Sequence, residues 1–326
     1  MKLLRYTSLA LLFALGACTK KDDLSADSTI SNRLTFIIND NKFNFSAFST
    51  ALGRTNYKNQ LLEEGPYTVL IPDNNAFSAA GYINDQSVLK ESGAILNNLV
   101  AYHIVYGTWE LNKLPFKFNQ EITSLSGAKM YVTRWIKNKD TVVTINGAPI
   151  LSFNLRASNG LIQVMNNVLQ PLQHDKTGEV ISGDTTLTFL NVALQQSGLR
   201  DRFYNNDVYT FFAPTNAAFR KAGYPSADSI SRTSPETLSA LLQYHYFSGR
   251  KFIYDYILTT GDAEQTTQAM NNGNTLKINL VKTGLKYTSI TMAGEGNKTA
   301  AQLVRSNVMA GNGVVHIIDQ VLNENR

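Results

Sequence analysis

The chain has 326 residues, 43% of them hydrophobic and 17% charged, with a formal net charge of +5. This is the composition of an ordinary globular protein long enough for about two domains. The positive balance is too slight to imply a nucleic-acid partner, and a single cysteine excludes an internal disulfide framework and any paired-cysteine metal site.

The first predicted element is an export signal. Lys2 and Arg5 precede an apolar run from Leu9 to Leu15, the order of a secretory signal peptide. That run is far shorter than the roughly 20 residues a membrane-spanning helix requires, and polar residues follow from Thr19. The lone cysteine closes Leu15-Gly16-Ala17-Cys18, which is similar to the bacterial lipobox. The similarity implies a lipidated Cys18 after removal of residues 1–17, with 18–35 as lipidated cysteine and linker. Each buried acyl methylene contributes about 0.8 kcal/mol, so two or three chains form a durable membrane anchor. Lys20-Lys21-Asp22-Asp23 is similar to a lysine-plus-acidic signal for the outer face of the outer membrane; a solvated linker accounts for the same charges equally well. The expected location is therefore the outer membrane, lipid-anchored and exposed at the cell surface.

The remainder repeats. Tyr67 to Phe77 (Tyr-Thr-Val-Leu-Ile-Pro-Asp-Asn-Asn-Ala-Phe) returns 142 residues later as Tyr209 to Phe219 (Tyr-Thr-Phe-Phe-Ala-Pro-Thr-Asn-Ala-Ala-Phe). The offset holds for Ala51-Leu52 with Ala193-Leu194, Tyr102-His103 with Tyr244-His245, and Gly107 with Gly249. Asn159-Gly160-Leu161-Ile162 matches Asn312-Gly313-Val314-Val315 at an offset of 153, so the second copy holds 11 more residues between Gly249 and Asn312. The copies are assigned to 36–172 and 187–326, with 173–186 as a polar linker.

Each copy reads the same way. Helical spacing of Phe48, Ala51 and Leu52, and of Leu190, Ala193 and Leu194, predicts an opening amphipathic helix. A continuous apolar run, Tyr67 to Ile71 or Tyr209 to Ala213, predicts a strand covered on both faces. Asp73 and Thr215 are natural N-caps of a short helix that Gly81 and Gly223 stop, and a further helix opens at Ser92 and Ser234. Strands follow: Lys129 to Ile136 and Thr141 to Ile145 bracket a turn at Asn138, and Thr275 to Val281 and Leu285 to Met292 bracket Gly284. The fold class is α+β.

The strand ending in Ala213-Pro214-Thr215-Asn216-Ala217-Ala218-Phe219, the pair Tyr244-His245, and Asn312-Gly313-Val314-Val315-His316-Ile317-Ile318-Asp319 resemble the three signature blocks of a fasciclin domain. The first copy departs from them at Ile71 and Asp73, and at Gln163, Met165 and Asn166. The resemblance implies two tandem β-sheet wedges with helices packed around them, used for extracellular adhesion or matrix binding, with no shared catalytic centre.

No residue is assigned to catalysis, metal or cofactor, because no nucleophile elbow, phosphate loop or zinc-ligand spacing occurs. His103 and His245 fall on apolar helix faces and are read, with Tyr102 and Tyr244, as core residues bonded to backbone; His316 is read likewise. Asn74 and Asn216 are expected to hold a turn through local backbone. Trp109 and Trp135 are the aromatic candidates for stacking on a sugar, and Phe252, Tyr254 and Tyr256 alternate like one face of a strand. The expected partner is a surface protein or glycan, the alternative an outer-membrane complex such as a nutrient-uptake assembly.

Overall fold

The computed structural model of the protein describes residues 31–324; the expected signal peptide and Cys18 lie outside these residues. The first domain contains strands β1 (Tyr67–Pro72), β2 (Ile104–Tyr106), β3 (Lys117–Thr123), β4 (Lys129–Lys137), β5 (Asp140–Ile145), β6 (Ala148–Ala157) and β7 (Gly160–Met165). They form one sheet in the order β2-β1-β7-β6-β5-β4-β3. The second domain repeats it with β8 (Tyr209–Pro214), β9 (Tyr246–Ser248), β10 (Gln265–Ala269), β11 (Thr275–Thr283), β12 (Lys286–Ala293), β13 (Ala301–Ala310) and β14 (Gly313–Ile318). In each sheet only one pair, β1 with β7 or β8 with β14, next to the short edge strand β2 or β9, is parallel.

The apolar runs are buried at every position because their alternating side chains enter two different cores. Val69 and Ile71 pack under the helices with Phe48, Phe77 and Leu96, whereas Leu70 enters an inner core with Tyr102, Met130 and Ile145. In the second domain Phe211 and Ala213 face the helices and Phe212 the inner core. The inner core exists because the sheet curls. β6 and β13 each slip register against the following strand, around Asn154 (φ 55°) and Asn307 (φ 56°), and such bulges bend a strand.

The helix ends follow the capping rules. Asp73 Oδ1 accepts from Ala76 N at 2.7 Å and Thr215 Oγ1 from Ala218 N at 3.1 Å. Ser92 and Ser234 cap the helices Gly93–Tyr102 and Pro235–Gln243. Each cap contributes about 1 kcal/mol.

Two expectations are corrected. Phe252, Tyr254 and Tyr256 do not lie on a strand: Ile253–Thr259 is a helix, with the Asp255 carboxylate accepting from Phe252 N at 2.8 Å. Its apolar residues serve a helix because Ile253, Tyr256 and Ile257, spaced three and four apart, share a face and are all buried. This helix and a longer connection between β12 and β13 hold most of the extra length of the second copy. The polar stretch read as a linker contains the helix Thr177–Gly183, whose Val180 and Ile181 enter the second domain's helix-side core. It is the counterpart of Leu34–Asp40: Asn159 Oδ1 accepts from Leu34 N at 2.9 Å, as Asn312 Oδ1 does from Thr177 N at 2.6 Å.

Candidate functional site

The Tyr-His pair ends a helix and leads into the edge strand β2 or β9. His103 Nδ1 lies 2.8 Å from Leu99 O, one turn back, and its Nε2 accepts from Leu169 N at 3.0 Å. His245 repeats this with Leu241 O at 2.9 Å and Leu322 N at 3.0 Å. A backbone N–H aimed at Nε2 leaves that nitrogen no room for a proton, so the ring is neutral with its hydrogen on Nδ1. Burial, opposed by the Leu99 or Leu241 carbonyl, lowers each pKa from 6.5 to about 4. Both nitrogens are in use, so neither ring can ligate a metal without losing a backbone bond. The preceding tyrosines cross the inner core: Tyr102 hydroxyl donates to Lys129 O at 3.0 Å and Tyr244 hydroxyl to Thr275 O at 2.7 Å. Burial pushes the Tyr102 phenol up to about 12. The pair thus joins a helix end to the outer strands and to the segment closing each domain.

His316 performs a different task with the opposite tautomer. Its Nδ1 accepts from Asn307 N at 3.1 Å and its Nε2 faces Lys251 O at 3.0 Å. Gln163, in the same slot of the first domain, makes both bonds: Oε1 accepts from Asn154 N at 3.0 Å and Nε2 donates to Trp109 O at 2.9 Å. The departure of the first copy at this position therefore keeps the bonding pattern.

Asn74 and Asn216 bond to distant rather than local backbone. Asn74 Oδ1 accepts from Ala47 N at 3.1 Å and Nδ2 donates to Phe43 O at 3.0 Å. Asn216 Oδ1 accepts from Phe189 N at 2.8 Å and Nδ2 donates to Thr185 O at 3.0 Å. Each amide supplies the start of the opening helix with partners that its own sequence does not provide. Trp109 is partly buried, and its Nε1 donates to Tyr106 O at 3.0 Å. Trp135 is partly exposed and rests on Phe118 with ring centroids 4.7 Å apart. His174, in the segment joining the domains, is also partly exposed. Among the described residues no group of three or more His, Cys, Asp or Glu side chains could hold a metal.

The sequence model for the family described as Fasciclin domain matches this chain twice, over residues 43–171 and 185–324. The chain belongs to the fasciclin family. It is 25% identical over 261 residues to the transforming growth factor-beta-induced protein ig-h3 of Oryctolagus cuniculus, covering 79% of this chain and 35% of that protein. Periostin of Homo sapiens is 25% identical over 287 residues, covering 85% of this chain and 30% of periostin. Immunogenic protein MPB70 of Mycobacterium bovis is 31% identical over 162 residues, covering 47% of this chain and 72% of that protein. The chain thus spans about a third of the length of the first two. A solved FAS1 domain pair from the insect cell adhesion molecule fasciclin I superposes with a TM-score of 0.42 at 16% identity, covering 86% of this chain and 96% of that one.

The two fasciclin domains are packed against each other through residues that sequence reasoning did not single out. One face of β4 supplies Met130 and Val132 to the inner core; its other face, Tyr131, Thr133 and Lys137, meets the second domain. Thr133 hydroxyl donates to Asp255 Oδ1 at 3.2 Å and Asn119 Nδ2 donates to Arg250 O at 2.7 Å. Lys137 Nζ donates to Gly261 O. The Arg250 guanidinium lies 4.0 Å over the Tyr131 ring while donating to Ala310, Gly311 and Gly313 carbonyls. Gly147 (φ +78°) allows this approach, since a Cβ there would come within 2.7 Å of Phe252 Cβ. Asp255 is buried, and that burial raises its carboxyl from 3.8 to about 6 against the bonds from Phe252 N and Thr133. The register carried one sign of this junction: Arg250 stands where the first copy has Thr108.

Arg250→Ala should lower the stability of the second domain by about 2–4 kcal/mol, since it strips the partly buried carbonyls of Ala310 and Gly313, and the exposed one of Gly311, of a charged donor. Urea denaturation measures that loss. Small-angle scattering should show a larger radius of gyration as the pair loosens; an unchanged radius would mean that the other junction contacts suffice.

Proposed function

We propose that this fasciclin pair is a non-enzymatic lipoprotein of the outer membrane that presents two rigidly joined modules at the cell surface to bind an extracellular protein or glycan. The supporting observation is that the shared motif groups, Tyr102-His103, Tyr244-His245, His316 or Gln163, and Asn74 or Asn216, all bond to the protein's own chain. A general base or nucleophile needs a positioned partner, and these residues have theirs in backbone. Family membership points the same way, and so does Cys18 in its lipobox-like setting. No helix of the described residues is long and apolar enough to cross a membrane; in this reading lipid on Cys18 is the tether.

The join between domains bears on how binding is multiplied. Gly311 N donates to His174 O at 3.0 Å and Asn312 N to Asp175 O at 3.1 Å, so the connecting segment is held against the second domain. Two sites on this chain sit at a fixed separation, which raises avidity only for partners of matching spacing.

Cys18→Ala should move the protein out of the membrane fraction or leave it unprocessed, and protease added to intact cells should degrade the wild type while periplasmic controls survive. Normal fractionation of the variant would remove the lipid anchor from this reading, and full protection of the wild type would remove surface display.

A second reading, a docking subunit of an outer-membrane complex, has its own support. The first domain exposes Phe43 (91%), Ile83 (75%) and Ile95 (52%) on its helical side, where the second carries Thr185, Pro225 and Thr237. Apolar exposure at these helical-side positions in one copy and not the other fits a protein face used by that copy alone. Recovery of an outer-membrane partner with wild type but not with Phe43→Ser/Ile83→Ser would favour it.

A further inference from the structure

We propose that the groove between the two fasciclin domains is a binding site for a neutral oligosaccharide. This deepens the surface-binding reading above and rests on it for its biological setting. The groove has a volume of about 720 Å³ and is walled by the β4–β5 turn, β6 and the end of β7 on one side, and by the helix Ile253–Thr259 and the β11–β12 hairpin on the other. That volume lies within the roughly 300–1,000 Å³ of sites that enclose ligands of several rings.

Asn307, Thr288 and Lys137 of its lining are bonded within the protein, whereas three exposed asparagines and a half-buried tyrosine are left to solvent. Asn138, Asn166, Asn167 and the Tyr254 hydroxyl have no hydrogen-bond partner among the described residues. The case of Asn166 has a physical origin. Its counterpart in the second domain, Asp319, accepts from Gln302 N at 2.7 Å. The residue of the first domain in the slot of Gln302 is Pro149, which has no N–H to give. Pro149 and Asn166 both line the groove. One substitution pair has thus removed an internal bond and left an amide available there.

The chemistry of the lining selects the ligand class. Amides both donate and accept, as sugar hydroxyls do, and three free ones, Asn138, Asn166 and Asn167, stand in the groove with a half-buried tyrosine whose ring offers an apolar face. Charge does not accumulate: the charged residues lining the groove are Lys137, Lys286 and Asp140. Lys137 is already engaged with Gly261 O, and its ammonium lies 5.3 Å from the Tyr287 ring. An anionic ligand would lack converging cations, and a wholly apolar one would strand the amides.

The test uses purified chain from residue 19 onward, titrated calorimetrically with neutral hexasaccharides of glucose, xylose and N-acetylglucosamine, and with an oligogalacturonate as charged control. At least one neutral hexasaccharide should bind. Tyr254→Ala and the double variant Asn166→Ala/Asn167→Ala should each weaken it by 10-fold or more, with melting temperature within a few degrees of wild type. Binding that survives both variants, binding of the galacturonate alone, or no binding to any of the panel would overturn the proposal. A variant that fails to melt cooperatively would be replaced by Asn166→Asp, which keeps the side-chain shape and should weaken binding through its added charge. Because this assay needs neither lipid nor cell, its failure is separable from failure of the surface-display reading, which the protease experiment addresses.

Discussion

His245→Ala is expected to destabilise the second domain by about 3–5 kcal/mol, and His103→Ala the first by a similar amount. The ring is fully buried, so its removal leaves a cavity beside Phe48 in the case of His103, whose centroid is 6.0 Å away. It also leaves the N–H of Leu322 or Leu169 buried without an acceptor, costing about 1–3 kcal/mol. The sum is large because the ring joins segments that are far apart in sequence, residue 245 to 322 and residue 103 to 169. His316→Gln supplies the contrast: the first domain already makes the same two backbone bonds with Gln163, so this change should cost about 1 kcal/mol or less. Urea denaturation of the three variants measures all of this. Unchanged midpoints for His103→Ala and His245→Ala, coupled to lost ligand or metal binding, would reassign the pair from stability to function.

Acidification should weaken the protein well before its carboxylates as a class are protonated. His103, His245 and His316 each have a pKa lowered from 6.5 to about 4 by burial. The unfolded chain takes up these protons at higher pH than the folded one does, so the stability tied to each ring is present above pH 6.5 and is lost as pH falls toward 4. At about 1.4 kcal/mol per unit, the loss approaches 3 kcal/mol per histidine. Asp255 works in the opposite direction. Burial raises its carboxyl from 3.8 to about 6, so its contribution is complete below pH 3.8 and disappears as pH rises through 6, and acidification restores about 3 kcal/mol. Three histidines against one aspartate leave a net loss of several kcal/mol between pH 7 and pH 4. Thermal melts across that range should show a falling melting temperature, and Asp255→Asn should make the fall steeper. Constant stability down to pH 4 would show that the rings are not buried as neutral groups.

Much of the fold was legible because it is written in short-range terms. The repeat register, the strands Tyr67–Pro72 and Tyr209–Pro214, and the caps Asp73, Thr215, Ser92 and Ser234 follow from local pattern. The helix Ile253–Thr259 did not, since five residues with aromatics at alternate positions fit either period, and the face that settles the choice, Ile253 with Tyr256, is covered by distant strands of its own domain. The helix Thr177–Gly183 was masked by its polar surroundings. Only Val180 and Ile181 reach the core, too few to give a periodic signal.

The candidate sites divide in the same way. The sequence by itself determined two fasciclin domains, their order, and a set of motif residues whose type and spacing suit burial, because burial of an apolar face is a periodic property of neighbouring residues. Only the tertiary structure decided what those residues bond to: Asn74 and Asn216 reach helices about 30 positions upstream, and His103 and His245 each close their domain. It also decided the junction of Tyr131, Thr133, Arg250 and Asp255, and the groove beside it. Those contacts link residues more than 100 positions apart, on strand faces that a sequence shows as polar or mixed, and one domain's surface pattern contains no record of which surface will cover it.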